Sequence, residues 1–245
     1  IMPSLVGSEM CIRDRFMHAL WFTALFTIVS VLTINVFAFV IAMLLTKGIK
    51  GTNFFRTVFF MPNLIGGIVL GYIWQILLNG ILGHFGRTLT YSSSYGFWGL
   101  IILMNWQQVG YMMIIYIAGI QNIPGELIEA AKMDGASNWQ LLKSVTIPLV
   151  MPSITICTFL TLTNSFKLFD QNLALTAGEP SNNSQMLALN IFETFYGRTG
   201  WEGVGQAKAV IFFIIVAVIA LAQNRLTRTK AVSYTHLTLP TICSV

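Results

Sequence analysis

The sequence predicts an all-α protein, a polytopic membrane helix bundle with five visible spans, and three observations carry that expectation. Charged residues make up 9% of the 245 positions and hydrophobic ones 55%, where an ordinary soluble domain has about 25% charged. Five apolar stretches run over about residues 18–46, 56–78, 97–120, 150–176 and 205–223. A helix needs roughly 20 such residues to cross the ~30 Å hydrocarbon layer. With no water at that depth, backbone groups must pair within each segment, which makes helices the expected form. The third observation is the placement of the basic residues. If the polar loop 121–149 faces the cytoplasm, that side holds Lys47, Lys50, Arg56, Lys132, Lys143, Arg225, Arg228 and Lys230, and the opposite loops hold Arg87 and Arg198. This asymmetry follows the positive-inside rule and orients all five segments consistently. The net charge of +5 therefore implies a lipid membrane as partner and not nucleic acid.

The first stretch, 18–46, has Asn35 as its lone strongly polar residue, which reads as a hydrogen-bonding link between helices. Gly48 and Gly51 mark the turn that follows. In the second stretch Gly66, Gly67 and Gly71 leave little bulk over more than one turn, and small residues permit close helix crossing in membranes. Tyr72 and Trp74 fit an aromatic belt at the outer interface, with a position facing a sugar path as the alternative. The third stretch carries Asn105, Trp106, Gln107 and Gln108 midway along its length. Amides at that depth are costly unless they meet partners or a wet cavity, so Gln107 and Gln108 are candidates for a substrate path. Four consecutive helical positions cannot all face one way; one or two line a path and the rest bond neighbouring helices.

The loop 121–149 is a polar island between apolar segments. Pro124 suits the first turn of a helix, where its missing N–H costs nothing, and Glu126 and Glu129 complement the positive N-terminal end. A short helix over 124–133 is expected, stopped at Gly135 by a residue able to take positive φ. Ser137 and Gln140 form a capping-box pattern that starts a second helix. Pro148 ends the loop or opens the next span. In that fourth stretch Asn164, Lys167 and Asp170 are further candidates for the path; Lys167 and Asp170 stand three apart and so are expected as neighbours on one helical face, where their opposite charges can instead neutralise each other as a structural ion pair near the outer boundary.

The residues Glu129, Ala130, Ala131, Asp134, Gly135, Ala136 and Pro148 stand at the spacing of the cytoplasmic EAA loop of permease subunits of binding-protein-dependent ABC importers, a family this chain resembles. Val145 and Ile147 depart mildly from its I-x-L-P ending. The segment FFRTVFFMP, 54–62, and the stretch from Phe169 to Tyr196 resemble the sugar-permease group of the larger maltose-transporter type, with Glu179 in place of a glycine. The resemblance runs from about Leu44 to Lys230. It implies a type I importer permease fold, commonly with six core spans, and the seven loop residues as the contact with an ATPase subunit. It also implies a second permease subunit, two ATP-binding cassette subunits and an external solute-binding protein as partners, and a sugar or oligosaccharide as cargo. The location implied is the bacterial inner membrane, with loop and C-terminus cytoplasmic. A secondary transporter or channel for a small polar solute is the alternative, and it leaves the loop pattern as coincidence.

An enzyme is not expected. There is no G-x-x-x-x-G-K-[ST] phosphate loop, no H-E-x-x-H and no G-x-S-x-G, and His18, His84 and His236 lie in different regions. Cys11, Cys157 and Cys243 are far apart, so neither a disulfide framework nor a metal site is expected and no cofactor is implied. The domain reading is a permease domain over 16–230. Residues 1–15 and 231–245 show no helical periodicity, break abruptly from what adjoins them and resemble translated adapter sequence, so they are expected to be non-native tails; a first helix is then expected to be missing.

Overall fold

The structure is a computed structural model. It describes the backbone of residues 2–48, 50–197 and 199–235, and the side chains of 13–48, 50–197, 199–223 and 225. Arg198, His236 and Cys243, and the side chains of Cys11, Arg228 and Lys230, lie outside the described residues.

In chain order the helices are α1 (Met2–Leu45), α2 (Thr52–Phe60), α3 (Gly67–Gly83), α4 (Ser93–Gln121), α5 (Gly125–Met133), α6 (Asn138–Leu141), α7 (Ile147–Phe166), α8 (Asp170–Leu175), α9 (Leu187–Tyr196) and α10 (Glu202–Thr235). Among the described residues there is no strand. Four helices are long and apolar enough to cross a membrane, within Arg13–Leu45, Ser93–Gln121, Asn138–Phe166 and Glu202–Gln223; a bent pair, Thr52–Leu64 with Gly67–Gly83, makes a fifth if counted as one span.

Helix α4 is the axis of the bundle, packing against α1 and α7 and, at either end, against α2 and the turn before it. Its Leu100, Leu103, Met104, Met112, Met113 and Tyr116 are all shut off from the surface. The face that α1 turns inward reads Ala19, Thr23, Thr27, Ser30, Ile34, Ala38, Ala42 and Leu45, at the three-to-four-residue spacing of one helical stripe. Most of these residues are small, so the two backbones can approach closely, which is how helices associate where lipid removes the hydrophobic drive. Asn35 then ties three helices together. Its Oδ1 accepts from the Tyr116 hydroxyl on α4 (2.7 Å) and its Nδ2 donates toward Thr161 Oγ1 on α7 (3.4 Å).

Three expectations change. The second stretch, read as one span over 56–78, is bent by 102° between α2 and α3. A 3-10 turn over Met61–Leu64 with Pro62 in its first turn, followed by extended Ile65 and Gly66, separates the two helices; proline removes a helical donor and crowds the preceding turn. Trp74 sits in the middle of α3 and meets Trp106 of α4 edge to face at 5.6 Å, whereas Tyr72 is exposed. Finally, α1 begins at Met2, so the described part of the segment read as an aperiodic tail continues into the first span as one helix; extending an existing helix needs only one residue ordered per added hydrogen bond.

The glycine reading divides. A Cβ on Gly67 or Gly71 would lie 2.8 Å from Asp170 Cβ or 2.5 Å from Ala174 Cβ, so these two let α3 pack on α8. Gly66 has open space around it and caps α3.

Candidate functional site

Two regions hold the residues singled out from the sequence. They lie at opposite ends of α7.

The first is the connection from α4 to α7. Pro124 caps α5 rather than lying within its first turn, and Glu126 sits in that turn. The helix stops by satisfying its last carbonyls locally. Gly135 takes φ 79°, its N–H donates to Lys132 O (3.0 Å), and the N–H of Ala136 donates to Ala131 O (3.0 Å). This crossed pair is the Schellman arrangement. Ser137 and Gln140 then form the capping box: Gln140 Oε1 accepts from Ser137 N (2.8 Å), and Ser137 Oγ accepts from Gln140 N (3.4 Å).

Between α6 and α7 the chain winds as a π turn over Leu142–Thr146, with Ile147 N–H donating to Leu142 O. Pro148, in the first turn of α7, explains it. Its ring has no N–H for the carbonyl four residues back and collides with that carbonyl, so the preceding turn opens by one residue.

None of the helical residues of α5 or α6 is buried. Ala131, Asp134, Gly135 and Ala136 line a hollow of about 310 Å³ together with Gln140 and Val145. Met133 is 88% exposed and Trp139 70%. Both are large apolar side chains on an otherwise polar segment.

The second region is a polar cavity of about 260 Å³ where α4, α7 and α8 meet. Gln108, Asn164, Lys167, Asp170 and Gln171 line it with Met104, so four of the five path candidates converge. The fifth, Gln107, borders it through Gln171: Gln171 Nε2 donates to Gln107 Oε1 (2.9 Å). Asn164 Nδ2 donates to Gln108 Oε1 (3.4 Å). The other polar residues of the α4 cluster turn away. Asn105 Nδ2 donates to Thr33 Oγ1 of α1 (3.0 Å), and Trp106 packs on Trp74.

The geometry of Lys167 and Asp170 is a correction. Helix α7 ends at Phe166 with Lys167 as its cap, and Asp170 opens α8, so the two do not share a helical face and no ion pair within 4.0 Å joins them. Both are exposed and border the same cavity. In place of an ion pair, two separate charged side chains stand at the cavity.

Sequence reasoning missed Gln171 and Lys208. Gln171 was hidden because α8 was read as the end of a long span. Lys208 had a plain signal: it is the one charged residue in the stretch 205–223, and an ionisable group inside a span is a functional candidate by default. It is buried on α10, with Nζ donating to Asn190 Oδ1 (2.9 Å) and Thr194 Oγ1 (2.8 Å) of α9.

Glu179, the departure in the loop after α8, supports the turn it alters. Its Oε2 accepts from Ser181 N (3.1 Å) and its carbonyl from Ser184 Oγ (2.5 Å). Among the described residues no cluster of three or more His, Cys, Asp or Glu could hold a metal.

Comparison with known proteins gives a consistent set of matches. Residues 6–231 match the family described as binding-protein-dependent transport system inner membrane component. The chain is 47% identical over 243 residues to the probable starch degradation products transport system permease protein AmyD of Thermoanaerobacterium thermosulfurigenes, covering 94% of this chain and 82% of that protein. It is 31% identical to the multiple sugar-binding transport system permease protein MsmF of Streptococcus mutans, over 87% of this chain and 77% of that one. Among solved structures it superposes on a chain of a bacterial ABC transporter involved in the import of the acidic polysaccharide alginate, with TM-score 0.76, 19% identity, and 88% and 80% of the two chains covered.

Proposed function

Because the chain belongs to the family of binding-protein-dependent transport system inner membrane components, we propose that it is the permease subunit of an ABC importer for a sugar or oligosaccharide. It is a multi-pass membrane protein that carries a transport path and leaves ATP hydrolysis to a separate subunit. The printed functions of its relatives, starch degradation products and multiple sugars, support carbohydrate as the cargo. The complete importer pairs this chain with a second permease and two ATPases and receives cargo from an external binding protein.

The observation that carries the reading is the form of the segment from Glu129 to Pro148. A short helix, a positive-φ glycine stop and a capped second helix stand at the bundle's end with apolar side chains outward. A nine-residue helix is marginal alone. Seated in a groove of the ATPase, it passes closure of the ATPases to α4 and α7, between which it is strung. Basic residues expected on the same side support a cytoplasmic position for it. At the other end of α7, Gln108, Asn164, Lys167, Asp170 and Gln171 offer the donors and acceptors that sugar hydroxyls need, and form the path.

Reconstitution of the whole importer in proteoliposomes tests both halves. Sugar uptake is expected to require ATP and to ignore an imposed ion gradient. Gly135→Val is expected to insert normally yet lose most uptake, since left-handed backbone costs an L residue roughly 1–2 kcal/mol and resists a β-branched side chain. Gly135→Asn, which tolerates that conformation, is expected to restore much of it. Gradient-driven uptake, or a fully active Gly135→Val variant, would overturn the reading in favour of a secondary transporter.

A further inference from the structure

Helix α2 is seated in the bundle by its backbone and not by its side chains. The carbonyl of Phe59 fills the place that a Cβ on Gly110 would take, so α2 and α4 meet backbone to backbone there, yet no residue of α2 is buried. Phe54, Phe55, Val58 and Phe59 all stand exposed, Phe54 at 69%. The chain itself leaves this apolar face uncovered.

Charge selects what covers it. Lys47 and Lys50 are exposed in the turn between α1 and α2, which Gly48 (φ 80°) and Gly51 (φ 85°) make tight, and Arg56 follows just over one turn inside α2. Arg56 Nε is shut off from solvent and makes no hydrogen bond within the chain, and an unpaired buried donor on a charged group is costly. No Asp or Glu occurs between Asp14 and Glu126, and among the described residues none of these three cations is in an ion pair. Phe39 packs on Tyr116 near the end of α4, so the turn lies at the end of the bundle that carries α5 and α6.

We infer that this turn and the outer face of α2 bind an anionic phospholipid, its phosphate held by Lys47, Lys50 and Arg56 and its acyl chains laid along Phe54, Phe55, Val58 and Phe59. Three cations within ten residues, beside four large apolar side chains, match a molecule that is phosphate at one end and hydrocarbon at the other. Basic amphipathic segments take anionic lipid in this way. A free phosphate would leave the apolar face bare, and a zwitterionic headgroup would bring its own cation against the three. The long stem of Arg56 lets its guanidinium meet a headgroup from within the helix.

The position also gives such a lipid leverage on the path. Helix α2 leads through the turn Met61–Leu64 to Ile65, whose carbonyl accepts from Gln107 Nε2 (3.4 Å). Beyond it, α3 packs on α8, where Asp170 and Gln171 border the polar cavity. A lipid that steadies α2 steadies the approach of α3 to that cavity.

Such a site needs only a chain that spans a membrane, so its loss would leave the importer reading standing. The full chain is reconstituted in nanodiscs of equal phosphatidylglycerol and phosphatidylcholine, and the lipids it retains are counted by native mass spectrometry. Phosphatidylglycerol is expected to be retained in preference. Lys47→Gln, Lys50→Gln and Arg56→Gln are each expected to weaken that retention about fivefold, the equivalent of ~1 kcal/mol per basic residue near anionic lipid, with thermal unfolding unchanged, and Arg56→Lys to keep much of it. Lys132→Gln and Lys143→Gln, exposed cations of α5 and of the π turn, are expected to change it little. Equal retention of the two lipids, or a preference that falls as far in Lys132→Gln and Lys143→Gln as in the three site variants, overturns the site. Displacement of phosphatidylglycerol by excess glycerol 3-phosphate overturns it too, because the cations would then be holding a free phosphate and the apolar face would have no part in binding.

Discussion

Gly110 has no side chain because the backbone of α2 fills the place one would take. A Cβ there would lie 1.8 Å from the carbonyl oxygen of Phe59, and a backbone atom cannot turn aside as a side-chain tip can. Gly110→Ala is therefore expected to destabilise by at least the ~1–3 kcal/mol of ordinary overpacking, read as a lower midpoint of thermal unfolding in detergent. Tyr116→Phe is a contrasting case. It removes the hydroxyl that donates to Asn35 Oδ1, yet hydrogen bonds between membrane helices average only about 0.6 kcal/mol, so its midpoint is expected to move far less than that of Gly110→Ala. Single residues were legible in the sequence where the chemistry is local: Gly135 had to take positive φ, and Ser137 with Gln140 had to cap. Gly110 was not legible, because the atom that makes it necessary is fifty-one residues away in the chain.

At the scale of elements, the apolar stretches gave the long helices and the breaks escaped. Periodicity and length report burial over some twenty residues, whereas the bend at Met61–Gly66 and the halt at Phe166 are set by a few positions within apolar runs. The candidates for the path were legible by residue type, being amides and charges at membrane depth. How they meet was not, since Gln108 and Asn164 come from different helices and Gln171 joins them only because the chain restarts at Asp170. The π turn before α7 was equally invisible, although its cause, Pro148, was on view. Pro148→Ala supplies the missing N–H and removes the ring, so Leu142–Thr146 is expected to wind toward ordinary α geometry. The seat of α5 and α6 relative to α7 then shifts, and more ATP is expected to be hydrolysed per sugar imported. An unchanged ratio would detach the π turn from coupling.

For the whole molecule, the expected orientation follows from charge alone and is open to direct chemistry. In a background without Cys11 and Cys243, and with Cys157 buried as it stands, Met133→Cys is expected to react with a membrane-impermeant maleimide only after cells are opened. Ser181→Cys, in the exposed loop between α8 and α9, is expected to react in intact cells. The reverse pattern would invert every assignment of inside and outside. The bundle's class was legible from composition, and the family from seven spaced residues in one loop. The buried bonding of Lys208 was not, because its partners Asn190 and Thr194 come from a separate short helix, α9, and meet it only when the chain folds.

The exposure of Met133 and Trp139 has a practical result for anyone purifying this protein. Detergent replaces lipid as a belt around the spans, and these two side chains stand on the polar connection beyond it. A preparation of this subunit by itself will carry a sticky patch that no micelle is shaped to cover. Under the proposed coupling role, co-expression with the ATPase subunit is expected to relieve that aggregation, which size-exclusion chromatography of the lone chain and of the complex would check.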